Sequence, residues 1–516
     1  EAVVDRESGA LPDELVEMLA WMDIPLIRYP GGTDVDRLDW TDRVDGAYGR
    51  QNQTRPISIT SQGKISNHFG YDEFLELAET LDTEPLIVVN FRDALLDTPG
   101  MQAPEIKAPG LKAAAEHAAA LVAYCNARAD GDLPPRLQRW ADLRARNGRH
   151  PPWGVKYWQI GNETFTYLPE LIGHSGSADP KVQARWLIDR VVTIAHAMRE
   201  VDPSIVVLFD QRFGLPQLTP LVVEDPGFRG AVDFQAVHLY APGGVRQLFR
   251  GDREIVAADQ PDQTLWYAYV GMPGHFEEDR VLAMPDNTPA LANGRRVAVT
   301  EWNWVGFGPM GMEDPGLRAM AQALGSANLL HGMIRQGDRI ALATQSMLVG
   351  TSWKIAAIHV DVNGHRPPYF SASGLVAGLY SREHGASRLA VRATSPQPAV
   401  VQDMRVVGWG VHTAANPLPW VDLVATRNEE TLYLHVIQRS FSQAQRVSVD
   451  VSALIDGDAT AEVYHVEPRP DDDPGVDRDD AARLRHAVAP VLGGRVDLDL
   501  PARSVTVVKL SIPPSP

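Results

Sequence analysis

Apolar residues recur along this chain with two different periods, and the change from one to the other divides it. Leu15, Met18, Leu19 and Met22 are spaced for one face of a helix, which leads into Leu26-Ile27-Arg28-Tyr29, a short strand closed by Pro30-Gly31-Gly32. The couple then repeats. Phe74, Leu77, Ala78 and Leu81 line a helix over 71–81, and 85–89 follows as an unbroken apolar strand of the kind buried on both faces of a parallel sheet. An Ala-rich helix at 113–125, a strand over 155–160 and a helix carrying Leu187, Val191, Ile194, Ala195 and Met198 come next. Strands at 205–208, 234–238 and 296–300, a helix at 319–334 and a last strand within 340–358 complete the series. Alternation of this kind over about 350 residues predicts an α/β fold with parallel strands. Its spacing, with carboxylates at strand ends, favours a closed (β/α)8 barrel over an open doubly wound sheet.

Near 381–386 the period drops to two. Leu432, Leu434 and Val436 alternate with polar residues, as do Val447, Val449 and Val451, then Val496, Leu498 and Leu500, then Val505 and Val507. Short alternating strands separated by turn residues predict an all-β sandwich of jelly-roll type. The expected division is therefore a barrel over 1–385 and a sandwich over 386–516, with the acidic, proline-bearing stretch 467–480 as a solvated loop. Residues 1–14 offer no clear candidate for a first barrel strand.

Composition narrows the function classes. A chain of 516 residues with a formal net charge of −18 has no basic patch to neutralise phosphates, which argues against nucleic acid or an anionic membrane as partner. No apolar run reaches the length of a membrane span. The single cysteine, Cys125, excludes an intrachain disulfide and, inside a helical run, reads as a buried hydrophobe. No pair of histidines has metal-ligand spacing, so neither a metal nor a cofactor is expected. Gly306, Gly308 and Gly311 fit a dinucleotide fingerprint, but Pro309 interrupts them and no crossover helix with a downstream acid follows. Gly325-Ser326 lies within a helical run and makes no nucleophile elbow. The chain begins at Glu1 with no visible signal sequence, which points to the cytoplasm and leaves export open.

Chemistry concentrates in two places. The stretch 155–165 alternates as a strand, with Tyr157 and Gln159 on one side and Trp158 and Ile160 on the other, then breaks at Gly161 to deliver Asn162 and Glu163. About 138 residues later a second apolar strand ends in Glu301-Trp302-Asn303. Two carboxylates at the ends of separate barrel strands are the minimum equipment for glycoside hydrolysis, one to protonate the leaving oxygen and one to attack or to direct water. Arg28, inside a strand aimed into the barrel, is too costly to bury alone and must meet a carboxylate. His238 reads equally as a site residue or as a satisfied core histidine.

With Arg28-Tyr29-Pro30-Gly31-Gly32, Lys156–Glu163 and Thr300-Glu301-Trp302-Asn303 in view, the chain resembles glycoside hydrolase family 51, mainly retaining α-L-arabinofuranosidases built on (β/α)8 barrels. The likeness extends to 67–90, 123–126, 146–148 and the closing 500–510. It implies Glu163 as general acid/base, Glu301 as nucleophile, Asn162 as the amide on the sugar 2-hydroxyl, and Arg28 and Tyr240 as supports of the nucleophile. Trp302 and His238 join them as expected substrate-binding residues, and the resemblance also implies a bacterial cytoplasmic homo-oligomer acting on a glycoside, oligosaccharide or polysaccharide. The chain departs from the family at pocket positions. Thr33-Asp34 follows the paired glycines, Asn90-Phe91-Arg92-Asp93 ends the third strand, and Thr344, Met347 and Gly350 replace an amide pattern near the eighth. Thr33, Asn90 and Met347 are thus expected to shape specificity. A β-xylosidase, another furanosidase or an endo-β-glucanase stays open beside an exo-acting arabinofuranosidase, as does a non-catalytic carbohydrate-binding barrel. The aromatics of the sandwich are few, so packing or oligomer contact suits it better than polysaccharide binding.

Overall fold

Seven parallel strands form the wall of a nearly closed barrel: β1 (Leu26–Tyr29), β2 (Glu84–Val89), β3 (Tyr157–Ile160), β4 (Val206–Asp210), β5 (Phe234–Pro242), β6 (Val297–Val305) and β7 (Ile340–Gln345), paired in that order. They are seen in a computed structural model, which describes residues 3–4, 10–32, 35–37, 39–46, 59–60, 63–64, 68–95, 110–210, 214–242, 245–271, 295–305, 311–312, 314–350, 355–361, 365–396, 404–408, 412–415, 419–455, 457–470 and 481–512. Thr33, Asp34, Gly306 and Gly308 lie outside these residues. β1 and β7 are the two edges, and no eighth strand stands between them among the described residues.

Six of the helices match the periodic segments and gain defined ends. They are α1 (Asp13–Met22), α2 (Tyr71–Thr80), α3 (Gly110–Asn126), α4 (Pro180–Val201), α5 (Pro315–Gln336) and α6 (Ala372–Arg382). α4 and α5 both open on Asp-Pro: the Asp179 and Asp314 side chains accept the N–H groups of Lys181 and Gly316, and proline takes the first helical position, where no amide is needed. That cap explains why α5 begins four residues before its apolar period shows.

Strand parity fixes what the barrel holds. Leu86, Val88, Leu208 and Ala298 point inward and form the lower fill with Leu26, Phe234 and Leu342. The same inward rows then turn polar at their C-terminal ends, at Arg28, Gln159, Asp210, His238 and Tyr240. The outward rows, such as Trp158, Ile160, Val207 and Phe209, pack on the helices. Cys125 is buried in that outer layer.

Eight antiparallel strands follow: β8 (Ser387–Leu389), β9 (Val421–Arg427), β10 (Thr431–Gln438), β11 (Gln445–Asp450), β12 (Ala459–Pro468), β13 (Ala482–Leu492), β14 (Arg495–Leu500) and β15 (Ser504–Ser511). They form one sheet that folds over, so that Leu434, Val436 and Val463 share a core with Leu498, Leu500 and Val491. On the other face Val466, Val505 and Val507 pack against Leu324 of α5 and Val376 of α6. Both faces of β15 are therefore covered, and its burial is nearly continuous despite the alternating sequence. Glu467, expected in a solvated loop, lies instead in β12, buried, with Arg483 and Arg485 on its carboxylate. An acid placed between two guanidinium groups is satisfied where a lone one would not be.

A further polar cluster sits where α5, α6 and the sheet meet. His331 of α5 bonds Asp422 of β9 through Nδ1 at 2.8 Å and the Tyr380 hydroxyl through Nε2 at 2.9 Å. Arg335 and Arg439 complete the surroundings of Asp422. Beyond the barrel, the strands Val245–Arg250 and Met404–Gly408 pair, so a segment from after residue 386 joins the one that follows β5.

Candidate active site

Glu301 reaches the barrel interior because of a bulge. Ala298 and Val299 pair with Ala236 and Val237, but the next pair is Glu301 with His238, which leaves Thr300 as an extra residue. The extra residue reverses the alternation, so Glu301 and Asn303 turn inward beside His238 and Tyr240. Thr344 donates its hydroxyl to the Thr300 carbonyl at 2.5 Å and ties the bulge to β7. The strand also runs on to Val305 instead of stopping at Glu301. Trp302, expected to face substrate, is turned outward by the same reversal and packs with Val237, Leu239, Leu329 and Met333 under α5.

Glu163 arrives differently. β3 stops at Ile160, and Gly161 takes φ +72°, where a Cβ would fall 2.9 Å from both Phe91 and Thr164. Glu163 itself adopts φ +46°, a left-handed conformation uncommon for a non-glycine residue and frequent at functional sites.

The two carboxylates meet across the cavity. His238 Nδ1 lies 3.0 Å from Glu163 Oε1 and 3.3 Å from Glu301 Oε2. One oxygen of each glutamate and the imidazole nitrogen all fall within 4.8 Å of one another. Arg28 answers the demand for a carboxylate: its Nη1 is 2.9 Å from Glu301 Oε1, its Nη2 donates to Asn162 Oδ1 at 2.5 Å and its Nε to Gln159 Oε1 at 3.0 Å. Gly31 leaves the room this needs, since a Cβ there would stand 3.1 Å from the guanidinium. Tyr240 donates to Glu301 Oε2 at 2.7 Å and also meets Ser346. The Glu163 side chain is 24% exposed and that of Glu301 only 11%, so the first faces the opening and the second the interior.

The electrostatics follow from these contacts. Burial alone would raise the pKa of Glu301, but His238, Arg28 and Tyr240 together hold it below the usual carboxylate range. Burial likewise pulls His238 down, and the facing carboxylates Glu301 and Glu163 more than reverse it. Glu163, His238 and Glu301 also have the spacing of a metal-ligand set, which sequence spacing did not reveal. Arg28 already sets a cation against Glu301 there, and a metal would have to share the carboxylate with it.

The other expected residues are placed unevenly. Asn162 is buried, its oxygen taken by Arg28 and its amide nitrogen without a hydrogen-bond partner among the described residues. Asn90 directly follows β2 and accepts from the Asp93 N–H at 3.3 Å, a local cap. Met347 follows Ser346, with its terminal methyl carbon where a Cβ on Gly350 would come within 2.7 Å. Periodicity missed Gln159 as a partner of Arg28, and it missed Asp36 and Asp210. Asp210 carried the very signal used for the glutamates, an acid at a strand end; Asp36 sits in a short 3-10 turn, Val35–Arg37, that no period marks.

Residues 18–241 match the family model described as "Alpha-L-arabinofuranosidase 1 domain". The chain is 31% identical to the intracellular exo-α-(1→5)-L-arabinofuranosidase 1 of Bacillus subtilis over 467 residues, 86% of this chain and 78% of that protein. It is 29% identical to a probable α-L-arabinofuranosidase C of Aspergillus niger over 248 residues, which are 45% of this chain. The match spans only 41% of that fungal relative's length. Among solved structures, an arabinose complex of the Thermotoga maritima α-L-arabinofuranosidase superposes with a TM-score of 0.70 at 19% identity, covering 99% of this chain and 93% of that one.

Proposed function

The chain belongs to glycoside hydrolase family 51, and from that membership we propose that it is a retaining, exo-acting glycosidase that removes terminal α-L-arabinofuranosyl residues. The observation that carries the reading is the approach of two glutamates from distant strands, with oxygens within 4.8 Å of each other and one histidine between them. Carboxyl groups about 5–5.5 Å apart leave no room for a water between acid and sugar, whereas an inverting enzyme needs roughly 6.5–9.5 Å. Direct attack by one carboxylate is the mechanism this separation supports.

Glu301 is the nucleophile. Arg28 and Tyr240 keep it anionic, and it is the more enclosed of the pair. It attacks the anomeric carbon as Glu163 gives its proton to the departing oxygen, forming a glycosyl ester on Glu301; Glu163 then takes a proton from water, which attacks the same carbon and releases Glu301. The unpartnered amide nitrogen of Asn162 is available to a sugar hydroxyl beside the reacting carbon. The arabinose preference rests on the relatives, and the substituted pocket positions Arg92, Thr344, Met347 and Gly350 favour one second reading, a sister glycosidase with another sugar in the same site.

A panel of nitrophenyl glycosides separates the two. Release from the α-L-arabinofuranoside, with retention of configuration in the first-formed sugar, is expected; release only from a xyloside or glucoside replaces the first reading with the second. Unchanged turnover in Glu163→Ala would overturn both and return the carbohydrate-binding barrel.

A further inference from the structure

We propose that Asp36 and Asp210, two buried aspartates from opposite sides of the barrel mouth, are positioning residues that hold the turn bearing Glu163. Asp36 accepts the Asn162 N–H at 3.0 Å and the Tyr167 hydroxyl at 2.9 Å on one oxygen, and the Phe91 N–H at 2.8 Å on the other. Asp210 accepts both the N–H and the hydroxyl of Thr164, at 2.6 and 2.8 Å. The residues immediately before and after Glu163 are thus each tied to a carboxylate, one from the segment after β1 and one from the end of β4. Between them Glu163 keeps its left-handed backbone.

The arrangement answers a physical need. A left-handed non-glycine residue persists only where its surroundings over-determine it, and a charge-assisted bond to a backbone N–H is among the stronger devices available. Two further donors of the turn are also paired: Gly161 N–H bonds the Val89 carbonyl at 2.8 Å and Thr166 N–H the Glu163 carbonyl at 2.8 Å. Neither aspartate is placed for solvation, at 2% and 4% exposure. Burial pushes the Asp210 pKa up to about 6 against the pull of His238 and Thr164, so a polar group is being kept where an apolar one would be easier to bury. An acid/base residue must stay within hydrogen-bond reach of the leaving oxygen in the first step and of water in the second. A misplacement of about 1 Å can cost on the order of a hundredfold in rate.

The proposal rests on Glu163 being the acid/base, and the test separates the two. For the full-length protein, kcat/KM is measured on aryl arabinofuranosides spanning good to poor leaving groups, for wild type, Glu163→Ala, Asp210→Ala, Asp210→Asn, Thr164→Val and Tyr167→Phe. Loss of acid assistance steepens the dependence on leaving-group pKa. Asp210→Ala is expected to lose roughly 10- to 100-fold more on the poorest leaving group than on the best. Asp210→Asn, which keeps an oxygen for the Thr164 N–H, should recover part of that loss, and the two single-donor variants should steepen the plot less, in the same direction. If Glu163→Ala leaves the slope unchanged, the acid/base reading fails. If Glu163→Ala steepens it while the folded variants among the other four keep the wild-type slope, the positioning proposal alone is overturned. Thr164→Val and Tyr167→Phe decide the matter should removal of the aspartate prevent folding.

Discussion

Two buried clusters in this molecule are made from the same residue types and behave in opposite ways. In the barrel mouth His238 stands among Glu163, Glu301, Arg28 and Tyr240; at the joint with the sheet His331 stands among Asp422, Arg335, Arg439 and Tyr380. The joint gathers more cationic side chains than acids. Both nitrogens of His331 have partners, and a single carboxylate is shared by one histidine and two arginines. The mouth reverses that ratio: one histidine and one arginine serve two carboxylates, while His238 Nε2 and Asn162 Nδ2 are buried without hydrogen-bond partners among the described residues. The histidines register the difference. Burial pulls both down, but the paired glutamates lift His238 above its ordinary value, whereas at His331 burial and two nearby arginines prevail over Asp422.

A network whose cations close on a single acid holds a structure together, and one that leaves surplus negative charge and unpartnered donors beside an opening is prepared for a ligand. The comparison breaks if removing an acid from either cluster has the same consequence. Glu301→Ala should abolish turnover, by at least about 10⁴-fold for loss of a nucleophile, while the protein still melts cooperatively. Azide added to this variant should restore a single displacement with inverted configuration, because it attacks from the face Glu301 vacated. A retained product would mean that another residue carries the sugar. Asp422→Ala should do the reverse. It strands His331, Arg335 and Arg439 in a buried place, which costs about 3–5 kcal/mol, and urea unfolding should show that loss with kcat on the folded fraction unaltered. Unaltered stability would show that the joint is solvated and the contrast false.

Periodicity was enough for most of the scaffold and for little of the site's geometry. The 3.6-residue rows of α1 to α6 and the apolar runs of β1 to β7 stand in the sequence because burial repeats with the element. Parity also puts Arg28 and His238 on inward rows. The same parity would turn Glu301 outward with Val299, and only the bulge at Thr300 brings it in, at no cost to the hydrophobic pattern and so with no trace in it. Strand-end position and motif likeness singled out Glu301 where alternation could not, and the same bulge turns Trp302 outward to pack under α5. Glu467 failed for a related reason: its arginines come from β13, and an acid-rich stretch does not announce which acid will be paired. Asn90 reads as a pocket amide, and the structure adds that its oxygen accepts the Asp93 N–H of the adjacent 3-10 turn.

The smallest expected effect is also the most direct measure of the contrast, the response of stability to acid. His331 has its pKa lowered on folding, so below about pH 6.5 the unfolded chain takes up a proton that the folded one refuses. Stability then falls as pH drops through that window, by at most about 1.4 kcal/mol per pH unit for one such group. His238 has its pKa raised, and the sign reverses: its contribution is complete below the unfolded value and fades as pH rises through the folded one. His435, buried and lowered like His331, and His384, also lowered, add to the first slope, Asp210, raised to about 6, opposes it in all three proteins, and Asp422, strongly lowered, remains ionised throughout the window. Urea midpoints between pH 7.5 and 5 should therefore decline in the wild type, decline less in His331→Gln, and decline more in His238→Gln. The baseline of each variant will shift with its lost contacts, but the slope depends only on which protons the two states hold. Parallel slopes in the three proteins would mean that the two histidines sit in equivalent surroundings, and that the open cluster differs from the closed one in shape alone.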